Sequence, residues 1–172
     1  MKRHLILVGL PGAGKTTVGR LVAESLGAAF VDTDAMIVRK MQMPVASIFG
    51  ALGESAFRKM EREAMAGALA GPPSVISPGG GWVAQPGALA SARPNSYLVY
   101  LKAMITTIAK RTGGDGSRPI LVGEDQLEIL RGLLKDREPF YLQADAEVKS
   151  DVRTPEQVAA EIVALARSKA GW

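Results

Sequence analysis

The chain has 172 residues and no cysteine, which fits one domain with a sizeable core and excludes a disulfide framework, a thiolate zinc site and a cysteine nucleophile. Its 47% hydrophobic content is typical of a globular protein, and its net charge of +4 comes from scattered basic residues, which argues against a nucleic-acid partner. Because no early apolar run is long enough for a signal or a membrane segment, we expect a cytoplasmic protein with no membrane partner. The single histidine, His4, is predicted to be structural.

Short apolar segments alternate with helical patterns along the chain, which predicts a parallel sheet covered by helices on both faces. The predicted strands are residues 5–8, 28–31, 74–77, 97–101 and 147–149. The predicted helices are residues 17–26, 35–41, 44–49, 54–70, 86–92, 104–111 and 125–136. The helix at 125–136 is expected to continue past Pro139, and one more helix begins at Pro155. The fold class is therefore α/β, in three layers around a five-stranded parallel sheet, as a single domain.

The loop after the first strand, residues 9–17, matches the phosphate-binding pattern G-x-x-x-x-G-K-[ST]. It lies between a strand and a helix, where free backbone N–H groups and the helix dipole favour an anion. Lys15 can reach the β- and γ-phosphates of a nucleotide, and the Thr16 hydroxyl can ligate Mg²⁺. The loop predicts that the phosphates of a nucleotide are bound, so the rest of the chain must supply the acceptor.

Two carboxylates, Asp32 and Asp34, follow the second strand, at the sheet edge where such folds bind ligands. In an extended segment, residues two apart point the same way, so one carboxylate can hold Mg²⁺ through water while the other hydrogen-bonds an acceptor hydroxyl. The alternative is that Asp34 is the N-cap of the following helix.

Three further features have a functional and a structural interpretation. Arg58 can clamp a substrate carboxylate, or it can form a surface pair with Glu61. The triplet Gly79-Gly80-Gly81 can present backbone N–H groups to a ligand, or it can be a turn. Residues 112–124 are glycine-rich and contain Arg118, which predicts a lid that closes over ATP, although an ordinary surface loop is the alternative. Trp82 and Trp172 are predicted to pack rather than to stack on a base.

Taken together, these motifs resemble the shikimate kinase family over nearly the whole chain. The resemblance rests on residues 9–20, Asp32-Thr33-Asp34, Phe57-Arg58 with Glu61, the glycine triplet, Arg118-Pro119, and Arg137 ahead of Pro139 and Tyr141. It implies a nucleoside monophosphate kinase-like fold with a substrate-binding section near residues 33–61. It also implies transfer of the γ-phosphate of ATP to the 3-hydroxyl of shikimate, in the biosynthesis of aromatic amino acids.

The resemblance assigns a role to each site residue. It implies that Asp34, Arg58, Gly79, Gly80, Gly81 and Arg137 bind shikimate, and that Lys15, Asp34 and Arg118 are catalytic. It implies that ATP is bound by Gly12, Ala13, Gly14, Lys15, Thr16, Thr17, Arg111, Arg118, Arg153 and Pro155. It implies that Mg²⁺ is held by Thr16, and by Asp32 through water.

Two segments depart from the family pattern. Residues 41–44, Met-Gln-Met-Pro, stand where the family usually has a glycine and a small residue, and are expected to alter the approach to the substrate section. Pro78 removes a backbone donor before the glycine triplet and is expected to change that loop locally.

The alternatives to this family are another small-molecule kinase, such as a gluconate or nucleotide kinase, and a regulatory protein that binds ATP without turnover. A monomer is expected.

Overall fold

The computed structural model describes residues 1–112 and 126–172. Its strands are β1 His4–Val8, β2 Phe30–Asp32, β3 Val75–Ser77, β4 Ser96–Lys102 and β5 Ala146–Lys149. Its helices are α1 Lys15–Leu26, α2 Thr33–Met41, α3 Val45–Ala70, α4 Ala88–Ala92, α5 Ile105–Thr112, α6 Gln126–Tyr141 and α7 Pro155–Lys169. The predicted lid, with Arg118, lies almost wholly outside the described residues.

The five strands form one parallel sheet in the order β2-β3-β1-β4-β5. The predicted α/β class with a five-stranded parallel sheet is confirmed. β1 is the central strand and pairs with both β3 and β4. The direction in which successive strands are added to the sheet therefore reverses beside β1. In sheets of this kind, ligands bind outside the carboxyl ends of the strands at such a switch point.

The core has two layers, one on each face of the sheet. Alternate residues of β1 enter different layers: Ile6 and Val8 pack in one, Leu5 and Leu7 in the other. Helices α1 and α7 cover the Leu5 face, and α3, α5 and α6 contribute to the other. Because both faces are buried, the central strand is apolar along its length, which is the pattern expected of a parallel sheet.

Helix α3 contains a break that the sequence predicted. Gly53 has φ 82° and ψ 168°, so the element is two helical segments joined at a kink. This backbone conformation is essentially restricted to glycine, since a side chain there would strain the chain. The predicted helix at residues 86–92 is shorter than expected: α4 begins at Ala88, and Trp82–Ala84 forms a separate 3₁₀ turn.

The predicted substrate section has a small hydrophobic cluster of its own. Ile37 of α2, and Ile48 and Phe57 of α3, are buried against one another. Met41 and Met43, from the segment that departs from the family pattern, pack against this cluster. The departure therefore contributes apolar contacts to the section.

The turn between α2 and α3 is strained at Gln42. This exposed residue has φ 56° and ψ 30°, left-handed values that favour glycine, and its amide donates to the Arg39 carbonyl at 2.7 Å. We expect Gln42→Gly to raise the free energy of unfolding by about 0.5–1 kcal/mol, because relief of strain outweighs the lost hydrogen bond and the added chain entropy. Urea denaturation measures the change. Gln42→Ala keeps the strain and is the control; a glycine variant no more stable than the alanine variant would contradict the argument.

Candidate active site

One cavity of about 530 Å³ opens at the carboxyl ends of β1, β2 and β3. It brings together the loop after β1, the two aspartates around the end of β2 and the glycine triplet after β3. The predicted site residues that line it are Gly12, Gly14, Lys15, Thr16, Thr17, Asp32, Asp34, Arg58, Gly79, Gly80, Gly81, Arg111 and Arg137. Its size is that of a small-molecule site.

The phosphate-binding loop has the backbone that its glycines predict. Gly12 and Gly14 have φ values of 86° and 99°, and a Cβ on Gly12 would meet side-chain methyl groups of α5 at 2.6 and 2.9 Å. Gly14 is the N-cap of α1, so the helix N-terminus faces the cavity. The buried Lys15 ammonium donates to the carbonyls of Gly9 and Leu10 at 2.8 and 2.9 Å, which places it over the loop. Ala13, in the same loop, is buried.

The two aspartates occupy different positions from those expected. Asp32 is the N-cap of α2: its Oδ1 accepts from the Ala35 N–H at 3.1 Å, while its Oδ2 accepts from the Thr16 hydroxyl at 3.0 Å. Asp34 is already helical, so the two aspartates do not share an extended segment as predicted, and the alternative that Asp34 caps the helix was also wrong. Both carboxylates still line the cavity, because the first turn of α2 faces it.

Arg58 and Glu61 form a buried pair, so the alternative of a surface ion pair was wrong. Glu61 is 0% exposed, and its Oε2 accepts from Arg58 Nη1 at 2.6 Å. The Arg58 side chain is 18% exposed and lines the cavity. Burial holds the pKa of Glu61 above its ordinary value, and the Arg58 guanidinium offsets only part of that rise. Glu61 therefore anchors the cation from behind while the guanidinium still faces the cavity.

The glycine triplet is set by its neighbours as well as by its backbone. A Cβ on Gly79 would overlap the Glu61 carboxylate and would lie 2.9 Å from Asp34 Oδ1. A Cβ on Gly80 would lie 3.1 Å from Arg137 Nη1, and one on Gly81 2.6 Å from Arg58 Nη1. The space that side chains would take is therefore occupied by the charged groups of the cavity.

Helix α6 contributes two groups on one face. Arg137 is buried and lines the cavity, and Tyr141, one turn later, donates its hydroxyl proton to the Gly80 carbonyl at 2.7 Å. Burial raises the pKa of Tyr141 to about 12, so the phenol stays protonated as a donor. Tyr141 had no predicted role, although its spacing from Arg137 places both side chains on the same helix face.

The residues expected near the nucleotide base fall into two groups. Arg111 lines the cavity and donates to the Ser150 carbonyl at 3.0 Å, which ties α5 to the segment after β5. Arg153 and Pro155 are not among the lining residues of the cavity. Arg153 donates to Glu161 at 2.6 Å, and Pro155 is the first residue of α7.

The remaining residues singled out by the sequence are structural. His4 is buried, its Nδ1 accepts from the Ser74 N–H at 3.2 Å, and burial lowers its pKa, which agrees with the predicted structural role. Trp82 is buried in the core, and Trp172 donates to the Arg3 carbonyl at 2.9 Å. No helix within residues 1–112 and 126–172 is long and apolar enough to cross a membrane.

Comparison with known proteins decides the family. The shikimate kinase family model matches residues 11–167. The chain belongs to the shikimate kinase family. A shikimate kinase of Mycobacterium avium is 42% identical over 164 residues, covering 95% of this chain and 93% of that protein. One from Thermobifida fusca is 43% identical over 167 residues, covering 96% and 95%.

Solved structures agree with this family. A shikimate kinase from Acinetobacter baumannii, in complex with shikimate, has a TM-score of 0.93 and 34% identity, covering 98% of this chain and 94% of that one. A gluconokinase from Sinorhizobium meliloti, at 19% identity and a TM-score of 0.68, shares the fold alone. The chain is thus an ATP-dependent kinase that phosphorylates shikimate in aromatic amino acid biosynthesis, and the regulatory alternative without turnover is set aside.

Proposed function

We propose that this cavity transfers the γ-phosphoryl group of ATP, held by the phosphate-binding loop, to the 3-hydroxyl of shikimate, held by Asp34, Arg58, Arg137 and the glycine triplet. The observation that supports the proposal is the convergence of the loop with two arginines and Asp34 on one cavity. Phosphoryl transfer requires positioning and charge neutralisation more than covalent chemistry, and these groups supply both.

The acceptor half of the cavity suits a small carboxylated polyol. Arg58 and Arg137 come from different helices, both line the cavity, and their guanidinium groups lie where a Cβ on Gly81 or Gly80 would meet them. A planar guanidinium binds a carboxylate through two parallel hydrogen bonds, so the pair can grip the carboxylate of shikimate. Asp34 accepts a hydrogen bond from the 3-hydroxyl and orients its oxygen toward the donor loop. Because the transition state is loose, orientation precedes full proton removal.

The donor half suits a nucleotide triphosphate with a hard cation. Gly12, Gly14, Lys15 and Thr17 surround the phosphates through backbone N–H groups and the lysine ammonium. Thr16 and Asp32 fit Mg²⁺, since their oxygens already lie 3.0 Å apart, and the described residues hold no cluster of three or more acidic or histidine ligands that would bind a metal alone. When bound, Mg²⁺ neutralises charge on the β- and γ-phosphates.

Several further roles remain predictions. Arg118 is proposed to close over the γ-phosphate from the lid, and Arg111, Arg153 and Pro155 to border the adenine. A cytoplasmic monomer is also proposed. In support of a monomer, the exposed large apolar side chains of the described residues are spread over separate elements, including Met36 of α2, Leu52 of α3 and Leu127 of α6.

The test of the proposal is a coupled assay of ADP release with three acceptors. With shikimate we expect saturable turnover that requires Mg²⁺; with gluconate or a nucleoside monophosphate we expect only the background rate. The reason is that the two arginines and the glycine triplet line one cavity and are proposed to hold a carboxylate on a compact ring, whereas gluconate is an open chain. Equal turnover with gluconate would contradict this assignment of the acceptor half, and phosphate on another hydroxyl, by NMR of the product, would contradict the role of Asp34.

A further inference from the structure

Gln85 is a buried amide that connects two parts of the acceptor half. It is 9% exposed and follows the 3₁₀ turn Trp82–Ala84, shortly after the glycine triplet. Its Nε2 donates to Glu61 Oε2 at 2.9 Å, the oxygen that also accepts from Arg58. A chain of hydrogen bonds therefore runs from Gln85 through Glu61 to the guanidinium that faces the cavity.

The orientation of this amide is fixed from the other side. Gln85 Oε1 accepts from Arg62 Nη1 at 2.9 Å. An amide turned by half a rotation would put its oxygen against the Glu61 carboxylate and its NH₂ group against the Arg62 cation. Both contacts would be unfavourable, so Arg62 makes the amide present a donor to Glu61. Arg62 itself is exposed, which leaves the network buried at one end and open to solvent at the other.

The network joins two elements that must keep a fixed relation. Glu61 and Arg62 lie on α3, which carries Arg58, whereas Gln85 belongs to the segment that begins with the glycine triplet. A Cβ on Gly81 would lie 2.6 Å from Arg58 Nη1, so the guanidinium fits closely against this glycine. The fit requires that α3 and the glycine segment keep their relative position. The backbone of Gln85 is also held, because its N–H donates to Trp82 O at 3.0 Å and its carbonyl accepts from Ala88 N–H at 3.1 Å.

We propose that Gln85, oriented by Arg62, is a positioning residue that fixes Glu61 and through it the Arg58 guanidinium for the carboxylate of shikimate. Gln85 is not among the residues that line the cavity. This inference rests on the proposed role of Arg58 in the acceptor half. The other charged groups around Glu61 are Asp34 of α2 and Arg137 of α6, both on the cavity side. Gln85 supports the carboxylate from outside the cavity.

The first experiment replaces the donor and keeps the size of the side chain. For Gln85→Leu we expect the KM for shikimate to rise about three- to tenfold, with kcat and the KM for ATP changed less than twofold. The reason is that only the orientation of the Arg58 guanidinium is affected. Arg62→Met, at an exposed position, keeps the amide but removes its orienting donor, and we expect a rise of about two- to threefold. Gln143→Leu makes the same chemical change at an exposed position outside the cavity and is the control.

A double-mutant cycle shows whether Gln85 acts through Arg58. In an Arg58→Met background, Gln85→Leu is expected to change the KM for shikimate less than twofold, since the guanidinium it positions is gone. Thermal unfolding confirms that each variant is folded at the assay temperature. If Gln85→Leu does not fold, Arg62→Met alone and in the Arg58→Met background gives the same test.

The outcomes separate this inference from the proposed function. An unchanged KM in Arg58→Met would overturn the carboxylate clamp itself. A raised KM in Arg58→Met with an unchanged KM in Gln85→Leu would overturn only the role of Gln85. A Gln85→Leu effect that is equally large in both backgrounds would show that the amide acts by another route, and would also overturn it.

Discussion

Asp34→Asn is expected to lower kcat with shikimate about 100- to 1,000-fold. The amide keeps the shape of the carboxylate, so the first turn of α2 and the N-cap at Asp32 should be undisturbed. What is lost is the negative acceptor: an asparagine amide can present its NH₂ group to the substrate hydroxyl and no longer favours the departure of its proton. Because Asp34 lines the cavity and is proposed to bind the acceptor rather than the nucleotide, ATP should still bind.

The measurement is kcat from the coupled assay, together with the Kd of a non-hydrolysable ATP analogue by calorimetry. Asp136→Asn is the matched control, since Asp136 is an exposed aspartate on α6. We expect that variant to retain the parent kcat. A near-normal kcat in Asp34→Asn would remove this carboxylate from the mechanism. Loss of binding of the ATP analogue would show that the substitution disturbs the donor half instead.

Arg58→Met is expected to raise the KM for shikimate about ten- to hundredfold, as for the loss of a hydrogen bond between charged groups worth about 1.5–3 kcal/mol. Methionine keeps an unbranched apolar stem beside the rings of Phe49 and Phe57, which the guanidinium now faces at 6.0 and 5.8 Å. The substitution therefore removes the charge and the fork of donors while retaining much of the packing. Steady-state kinetics with shikimate varied at saturating ATP measures the change.

The same variant should lose stability, because Glu61 is left fully buried without its cation. We expect a loss of about 1–3 kcal/mol in the free energy of unfolding, and partial recovery when Glu61→Gln is added. Arg131→Met is the control, since Arg131 pairs with Glu128 at the same i, i+3 spacing but both side chains are exposed. That surface pair should contribute less than about 1 kcal/mol. Equal losses in the two variants would contradict the buried character of the Arg58–Glu61 pair.

The fold could be predicted because its signals are local. The apolar run of β1, the glycine loop, and Gly53 as a break in the helix each act within a few residues, and the structure confirms them. The motifs also indicated residues that the structure brings to one cavity, since residues at the carboxyl ends of parallel strands meet at one edge of the sheet. The family resemblance, confirmed by the comparisons, followed from their combined order.

What could not be predicted depends on contacts between distant residues. The role of Asp32 as a cap was missed because the sequence does not show at which residue α2 begins. Burial of Glu61 was missed because spacing alone cannot tell a buried i, i+3 pair from an exposed one, as Glu128 and Arg131 demonstrate. Gln85 carried no signal, since its partner Glu61 is 24 residues away on another element.

The kink at Gly53 separates two regions of the acceptor half that differ in local stability. Asp34 lies on α2, which with the first segment of α3 is held only by the small cluster in which Ile37 and Ile48 pack against Phe57, a residue beyond the kink. Arg58 lies beyond the kink, on the segment that sends Met65 into the main core. The amides of α2 and of the first segment of α3 should therefore exchange with solvent through local openings far below the free energy of global unfolding. A ligand that bridges Asp34 and Arg58 would couple the two regions and slow that exchange.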